Sequence, residues 1–342
     1  MRPEELIPRP AQVRPAGGEF AFAAGVNVLG DAGCEMAGDY LRARLTGRVT
    51  EAGRPLLLKR VPVSGGAEGY RLSISADEVR IEGEPAGLLR GAVTLCGLLT
   101  DESGGIGEAA PCCQIEDAPA FAWRGLMLDC SRHFLSLDYL KRSVEVLVEL
   151  KMNVLHLHLV DDHGWRMEID AYPELTAVGS HVESGERRQG FYTKTQLREL
   201  VDFAAARGVE VVPEIEVPGH SYAAVWSYPQ LCCTGKPIRN PGHQKDLYCA
   251  GKESTFEFLE AVLAEVLEVF PSKHVHLGGD EAPKDRWREC PDCRERIRAE
   301  GLAGEEELQS YVFRRVSDFL EAHGRRAIGW EEILDGDPST DT

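Results

Sequence analysis

The chain has 342 residues, 43% hydrophobic and 27% charged, the make-up of a globular protein with room for two domains or one large one. Its formal net charge of −18 argues against nucleic acid and anionic membranes as partners, since their phosphates would be repelled. No run approaches the ~18 apolar residues of a transmembrane helix, and the opening MRPEELIPRP lacks the apolar stretch of a secretory signal, so the expected compartment is the cytoplasm.

Residues 1–116 read as a small α+β domain. YRLSISADEVRIEG, from Tyr70 to Gly83, predicts two strands around a turn at Ala76-Asp77. Ala86 to Leu99 has the periodicity of an amphipathic helix, although Gly87, Gly91 and Gly97 each weaken it. Asp101 to Pro111 is a turn-rich connection. From residue 117 to 342 the rhythm becomes strand, then helix, repeated. Arg124–Cys130 is expected to be a buried strand and Leu137–Lys151 a helix. Val154–Val160 is the second strand, followed by a helix over Thr193–Arg207 that Gly208 closes. Val209–Val217 is the third strand, in which Pro213 is unusual for a central position. Thr255–Phe270 is a helix stopped by Pro271, and His274–Gly279 is the fourth strand. Helices over Lys284–Ala299 and Glu305–His323 precede a fifth strand at Arg325–Ile333, and the closing DGDPSTDT reads as a loop.

Alternating strands and helices, with strands that are nearly continuous in apolar residues, predict an α/β parallel sheet. Polar, glycine-rich and aromatic residues gather just after each strand, which is where a (β/α)₈ TIM-type barrel builds its site. A doubly wound sheet is the competing architecture, but the phosphate-binding glycine loop it usually carries is missing. A barrel takes about 250 residues. The chain holds five β/α rounds, so the expectation is a barrel that lacks its C-terminal part.

The ten cysteines are expected as free thiols. Cys290-Pro-Asp-Cys293 is a lone CxxC. A structural zinc would need further ligands at a recognisable spacing, and Cys249 stands too far upstream to supply one. The pair is therefore read as a helix start with two ordinary thiols, and no metal is expected.

The strongest chemical signal is His276-Leu-Gly-Gly-Asp280-Glu281. Its two glycines allow a sharp turn and a close ligand approach. Two adjacent carboxyls in a cleft repel each other and, when buried, hold a proton more tightly, which suits a general acid. Taken alone, the same residues could cap a surface helix. Neighbouring side chains diverge, so they do not face each other across a glycosidic bond as an ordinary retaining pair does. His156-Leu-His158 with Asp161-Asp162-His163 is either a metal site or a hydrogen-bonding network for sugar hydroxyls, with His156 and His158 on one strand face. Ser131-Arg132-His133-Phe134 offers a planar donor. Glu216-Val-Pro218-Gly219-His220 fixes a turn that projects His220, and Gly329-Trp330-Glu331-Glu332 places an indole after the fifth strand.

RGLMLDCSRHF, LHLHLVDDHGWR, VPEIEVPGH, HVHLGGDEA and IGWEEI, in this order, resemble the signature segments of the family 20 β-N-acetylhexosaminidases. Residues before 117 are similar, more weakly, to the small domain that precedes the barrel in that family. The resemblance implies an exo-acting hydrolase of terminal β-linked N-acetylglucosamine or N-acetylgalactosamine that needs no metal or organic cofactor. It implies Glu281 as general acid/base and Asp280 as the group that orients the acetamido and stabilises an oxazolinium intermediate. Arg132 would bind sugar hydroxyls, Asp161 and His220 would support the surrounding polar network, and Trp330 would form a pocket wall. His163 stands where the family often has glutamine. The family's acetamido-binding tyrosine and further tryptophans come from later strands, for which this sequence has no counterpart. The alternatives are a non-catalytic, sugar-binding remnant of such an enzyme and a metal-dependent hydrolase using His156 and His158.

Overall fold

A computed structural model of the protein describes residues 2–101, 103–181, 189–237 and 246–335. The chain forms two compact units. One comprises Met1–Gly125 with Ser143–Asn153 and Ala204–Val209; the other comprises Leu126–Arg142, Val154–Phe203 and Glu210–Thr342.

The first unit is built on a six-stranded mixed sheet. Its strands are β1 (Gln12–Ala21), β2 (Val26–Gly30), β3 (Arg54–Arg60), β4 (Tyr70–Ile74), β5 (Val79–Gly83) and β6 (Ala109–Asp117), in the order β1-β6-β4-β5-β3-β2. β4 and β5 are the antiparallel pair expected around Ala76-Asp77. Helices α1 (Glu35–Arg44) and α2 (Pro85–Leu99) belong to the same unit, and Phe20, Leu56, Leu72, Ile81, Leu88 and Leu95 are fully buried in its core. The glycines that weaken α2 as an isolated helix are what let it lie close to the sheet. A Cβ at Gly91 would collide with Ile81, and one at Gly87 with the carbonyl of Gly69.

The second unit carries five strands: β7 (Gly125–Asp129), β8 (Val154–His158), β11 (Glu210–Glu214), β12 (His274–His276) and β13 (Arg326–Ile328). A two-residue ribbon, β9 (Val160–Asp161) with β10 (Gly164–Trp165), follows β8. The order is β13-β12-β11-β8-β7, and β8, β11, β12 and β13 pair in parallel. Each strand lies beside the next one in sequence. That is the winding of a TIM-type barrel, whereas a doubly wound sheet reverses direction partway across. The helices between the strands are α3 (Leu137–Glu149), α4 (Glu174–Ala177), α5 (Lys194–Ala205), α6 (Tyr222–Ser227), α7 (Glu253–Val269), α8 (Asp285–Glu289), α9 (Pro291–Ala299) and α10 (Glu305–Ala322). Pro213 does lie in a central strand. It is tolerated where the register of β11 with β12 is confined to Glu214 and His276.

Two expectations are corrected. The segment expected to be a buried strand is an edge: among the described residues β7 is the last strand of the sheet, and Leu126 and Met127 are about 40% exposed. The helix expected over Lys284–Ala299 is two helices broken at Cys290, whose backbone is extended at φ −76° and ψ 122°. Pro291 disfavours the helical region for the residue before it and has no N–H for a continuing helix. The DGDPSTDT segment lies outside the described residues after Asp335.

Candidate active site

The site grows out of strand register. Glu214 at the end of β11 sits opposite His158 on β8 and His276 on β12. His156 and His158, two residues apart, share a face, so both rings reach the same carboxylate. His158 Nδ1 donates to Glu214 Oε2 at 2.6 Å, and His156 Nε2 lies 2.9 Å from that oxygen. The other oxygen, Oε1, accepts from Trp330 Nε1 at 3.2 Å and is 2.9 Å from His276 Nδ1. The Trp330 ring packs on His276 with centroids 4.7 Å apart. Glu214 is thus the hub of the barrel floor, and it was not among the residues singled out from sequence. The available signal was the pair Glu214-x-Glu216 in an otherwise apolar strand, because a buried carboxylate demands partners.

The second nitrogen of His158 donates to Asp161 Oδ2 at 2.8 Å. A ring with a carboxylate on each nitrogen is held as imidazolium. Burial works against the charge, but the hydrogen bonds to Asp161 and Glu214 outweigh it and push the pKa up to about 10. Burial also disfavours the charged carboxylates, yet their histidine partners hold both Asp161 and Glu214 well below the usual carboxylate range.

Arg132 stands in the turn after β7. Asp129 Oδ1 accepts the backbone N–H groups of Ser131 and Arg132 at 3.0 and 2.9 Å and shapes that turn. The guanidinium reaches Asp129 Oδ2 at 3.0 Å and Asp161 Oδ2 at 2.7 Å. Asp161 Oδ1 faces His220 Nδ1 at 3.5 Å, and His220 Nε2 faces Asp280 Oδ2 at 3.4 Å and Glu281 Oε2 at 3.6 Å. His220 is largely buried. Burial lowers its proton affinity, but the surrounding Asp161, Asp162 and Asp280 overcome this and raise its pKa above the ordinary imidazole value. His163 remains beside the network, its Nδ1 3.7 Å from Asp161 Oδ1.

The loop after β12 is held in an uncommon conformation. Gly278, Gly279, Glu281 and, across from them, His220 all have positive φ, at 65°, 99°, 47° and 44°. Only the glycines adopt this region without strain, and strained side-chain-bearing residues concentrate at functional sites. Gln309 of α10 donates to the carbonyl of Gly279 at 2.7 Å, and the Trp330 N–H donates to that of Gly278 at 2.8 Å. A Cβ at Gly278 would overlap Glu216 Oε2. Glu216 is 1% exposed, and burial followed by repulsion from Glu214 and Asp280 raises its pKa well above the ordinary value. The carboxyl of the site whose burial favours its protonated form is therefore Glu216. Of the adjacent acids, Glu281 has a side chain 76% exposed and Asp280 one 26% exposed.

All six residues picked from the sequence belong to one connected set: Arg132 to Asp161, Asp161 to His220, His220 to Asp280 and Glu281, and Trp330 through Glu214 and His158 back to Asp161. Among the described residues, His156 with Glu214 and His276, His158 with Glu214 and Glu216, and Asp161 with Asp162 and His220 each stand close enough to share an ion. His158 spends both of its nitrogens on carboxylates, the hydrogen-bonding alternative for this cluster. Away from these loops, Cys290 and Cys293 are not two isolated thiols: the fold carries Cys249 and Cys233 to them.

A parallel sheet wound in sequence, with polar and acidic side chains gathered just after its strands, is the way a TIM-type barrel builds its site. The catalytic domain of glycosyl hydrolase family 20 matches residues 121–342 and domain 2 of the same family matches residues 4–118, so the chain belongs to glycosyl hydrolase family 20. Among curated relatives, a beta-hexosaminidase of Porphyromonas gingivalis is 44% identical over 280 residues, spanning 79% of this chain and 36% of that protein. A beta-hexosaminidase of Vibrio furnissii is 34% identical over 353 residues, 97% of this chain and 57% of that protein. The chain therefore spans from about a third to somewhat over half of these relatives' lengths. A beta-N-acetylhexosaminidase structure from Bacteroides fragilis superposes with a TM-score of 0.88 at 34% identity, covering 96% of this chain and 67% of that one. An exo beta-N-acetylglucosaminidase from Vibrio harveyi, solved with N-acetylglucosamine, gives 0.87 at 31% identity, covering 99% and 56%.

Proposed function

We propose that the chain supplies the acid/base half of an exo-β-N-acetylhexosaminidase that removes terminal β-linked N-acetylglucosamine or N-acetylgalactosamine with retention of configuration. The observation that carries this reading is the adjacency of Asp280 and Glu281, both facing the one nitrogen His220 Nε2. Consecutive carboxyls on a tight glycine turn are poorly placed to flank a glycosidic bond as acid and nucleophile. They suit a reaction in which the substrate provides the nucleophile, the known exception to the two-carboxylate scheme in this family.

In that reaction Glu281 protonates the glycosidic oxygen while the 2-acetamido oxygen closes on the anomeric carbon. Asp280 accepts the acetamido N–H and offsets the positive charge of the resulting oxazolinium. Water then opens the ring as Glu281 takes back a proton. His220 lies between Asp161 and the two acids, with one ring nitrogen toward each side, and holds them in position. Arg132 donates to ring hydroxyls, and Trp330 offers an apolar wall for the sugar or its acetamido methyl.

The test compares an aryl β-N-acetylglucosaminide with the aryl β-glucoside that lacks the acetamido group. Hydrolysis of the first alone is expected. Equal rates on both would overturn substrate assistance, and sugar binding without turnover of either would favour the non-catalytic alternative.

A further inference from the structure

Four cysteines converge in the second unit, away from the acids. Cys233 follows the turn Pro229–Leu231, Cys249 precedes α7, and Cys290 and Cys293 flank the start of α9. An antiparallel bridge pairs Cys232 with Tyr248 and so ties together the two segments that carry Cys233 and Cys249. Cys249 Sγ lies 3.7 Å from Cys290 Sγ and 3.6 Å from Cys293 Sγ, and Cys233 Sγ lies 3.8 Å from Cys293 Sγ. All four sulfurs are within 4.8 Å of one another, and three of the four residues are buried.

These spacings decide between chemistries. A disulfide brings its sulfurs to about 2.05 Å. Thiolates bound at about 2.3 Å to one tetrahedral Zn²⁺ stand about 3.8 Å apart along the tetrahedron's edges. Unrelated buried thiols behave as small hydrophobes and have no reason to aim four sulfurs at one point. The surrounding backbone is built for the approach. A Cβ at Gly251 would overlap the backbone of Asp292, so only glycine lets the Cys249 turn press onto the Cys290–Cys293 turn. Lys252 Nζ closes the other side, donating to the carbonyls of Gln230 at 2.8 Å and Cys232 at 2.7 Å.

We propose that Cys233, Cys249, Cys290 and Cys293 bind one structural Zn²⁺. Binding releases the four thiol protons and leaves a tetrathiolate with no open coordination position, so the ion has a structural rather than a catalytic role. Its position explains what it would hold. The Tyr248 N–H donates to the carbonyl of Pro218, two residues before His220, at 3.3 Å. Trp287 Nε1, in the segment after Glu281, donates to the carbonyl of Tyr248 at 2.9 Å, and Arg286 pairs with Asp246 at 3.0 Å. The ion would pin the loop that carries His220 to the segment that carries Asp280 and Glu281. This proposal does not depend on the glycosidase reading.

The test is elemental analysis of the protein purified with reductant and without chelator, alongside exchange with Co²⁺. About one zinc per chain is expected. The cobalt form should show thiolate-to-metal charge transfer and the intense visible bands of tetrahedral cobalt. Chelation should lower Tm and expose the four thiols to a thiol-reactive dye. Replacing Cys290 and Cys293 together by serine should abolish the zinc, whereas Cys232→Ser, next to the cluster but outside it, should retain it. Should the double variant not fold, the metal content and cobalt spectrum of the unmodified protein still decide the matter. Reduced protein that neither contains nor takes up zinc, iron in its place, disulfides among these cysteines, or undiminished zinc in a folded double variant would each overturn the site.

Discussion

Glu281 combines a strained left-handed backbone with an exposed carboxyl, which in the proposed reaction suits it to reach the leaving oxygen rather than to support the fold. Glu281→Gln should therefore lower the rate on an aryl glycoside with a poor leaving group by about 10²–10⁴-fold, the usual scale for general acid catalysis. A good leaving group should shrink the loss, because it needs less protonation. Tm should stay close to that of the parent protein. A variant equally fast on poor leaving groups would remove Glu281 from the role. Glu214 is the opposite case, a fully buried charge that supports others. Glu214→Ala leaves the His158 imidazolium short of one partner and should cost about 3–5 kcal/mol in urea unfolding. The same trio sets a pH dependence. The folded pKa of His158, about 10, is above the unfolded value of about 6.5. Its stabilising contribution is thus complete below the unfolded pKa and is lost as pH rises through the folded one. Asp161 and Glu214, depressed in the folded state, contribute above the ordinary carboxylate range and lose that contribution on acidification. Unfolding midpoints should accordingly fall from about pH 6.5 toward about pH 10, and less so in His158→Gln. An alkaline slope unchanged by that substitution would contradict the ion-pair account.

At the scale of elements, strand ends and their loops do the positioning. The parallel register brings Glu214, His158 and His276 into one row, and the Gly278-Gly279 turn then lifts Asp280 and Glu281 clear of it. Gly278→Ala introduces strain at φ 65° and forces a methyl into Glu216. It should destabilise by more than about 1 kcal/mol and lower activity together with Tm. Preserved activity and stability would mean that the turn is less constrained than its geometry indicates. The periodicity that located the strands and α2, α3, α5, α7 and α10 reports a local property, the face a segment turns to the core. It could not report how neighbouring strands are covered, which is why β7 was taken as buried, and it passed over the break that Pro291 imposes between α8 and α9.

For the whole molecule, the sheet of five strands has two edges among the described residues, β7 and β13. Leu126 and Met127 are exposed on the first. Unpaired strand edges with apolar side chains favour association. The 342-residue chain by itself should therefore show concentration-dependent self-association in sedimentation velocity, reduced by Met127→Lys. Monodisperse monomer at high concentration in both forms would show the edge to be harmless.

The motifs after each strand named six residues that the fold joins into one network, because side chains just after the strands of this architecture gather at one end and each motif is local in the chain. Glu214 was legible only as an acidic residue in an apolar strand; its hub role depends on β8, β12 and β13 arriving around it. Cys249 was set aside on spacing alone, since it stands 41 residues from Cys290. Sequence separation says little about distance once strands stack and loops fold back over their ends. The tertiary structure decided which carboxyl burial pushes up in pKa, which strand is an edge among the described residues and which four thiols meet, because each of these depends on neighbours that are remote in the chain.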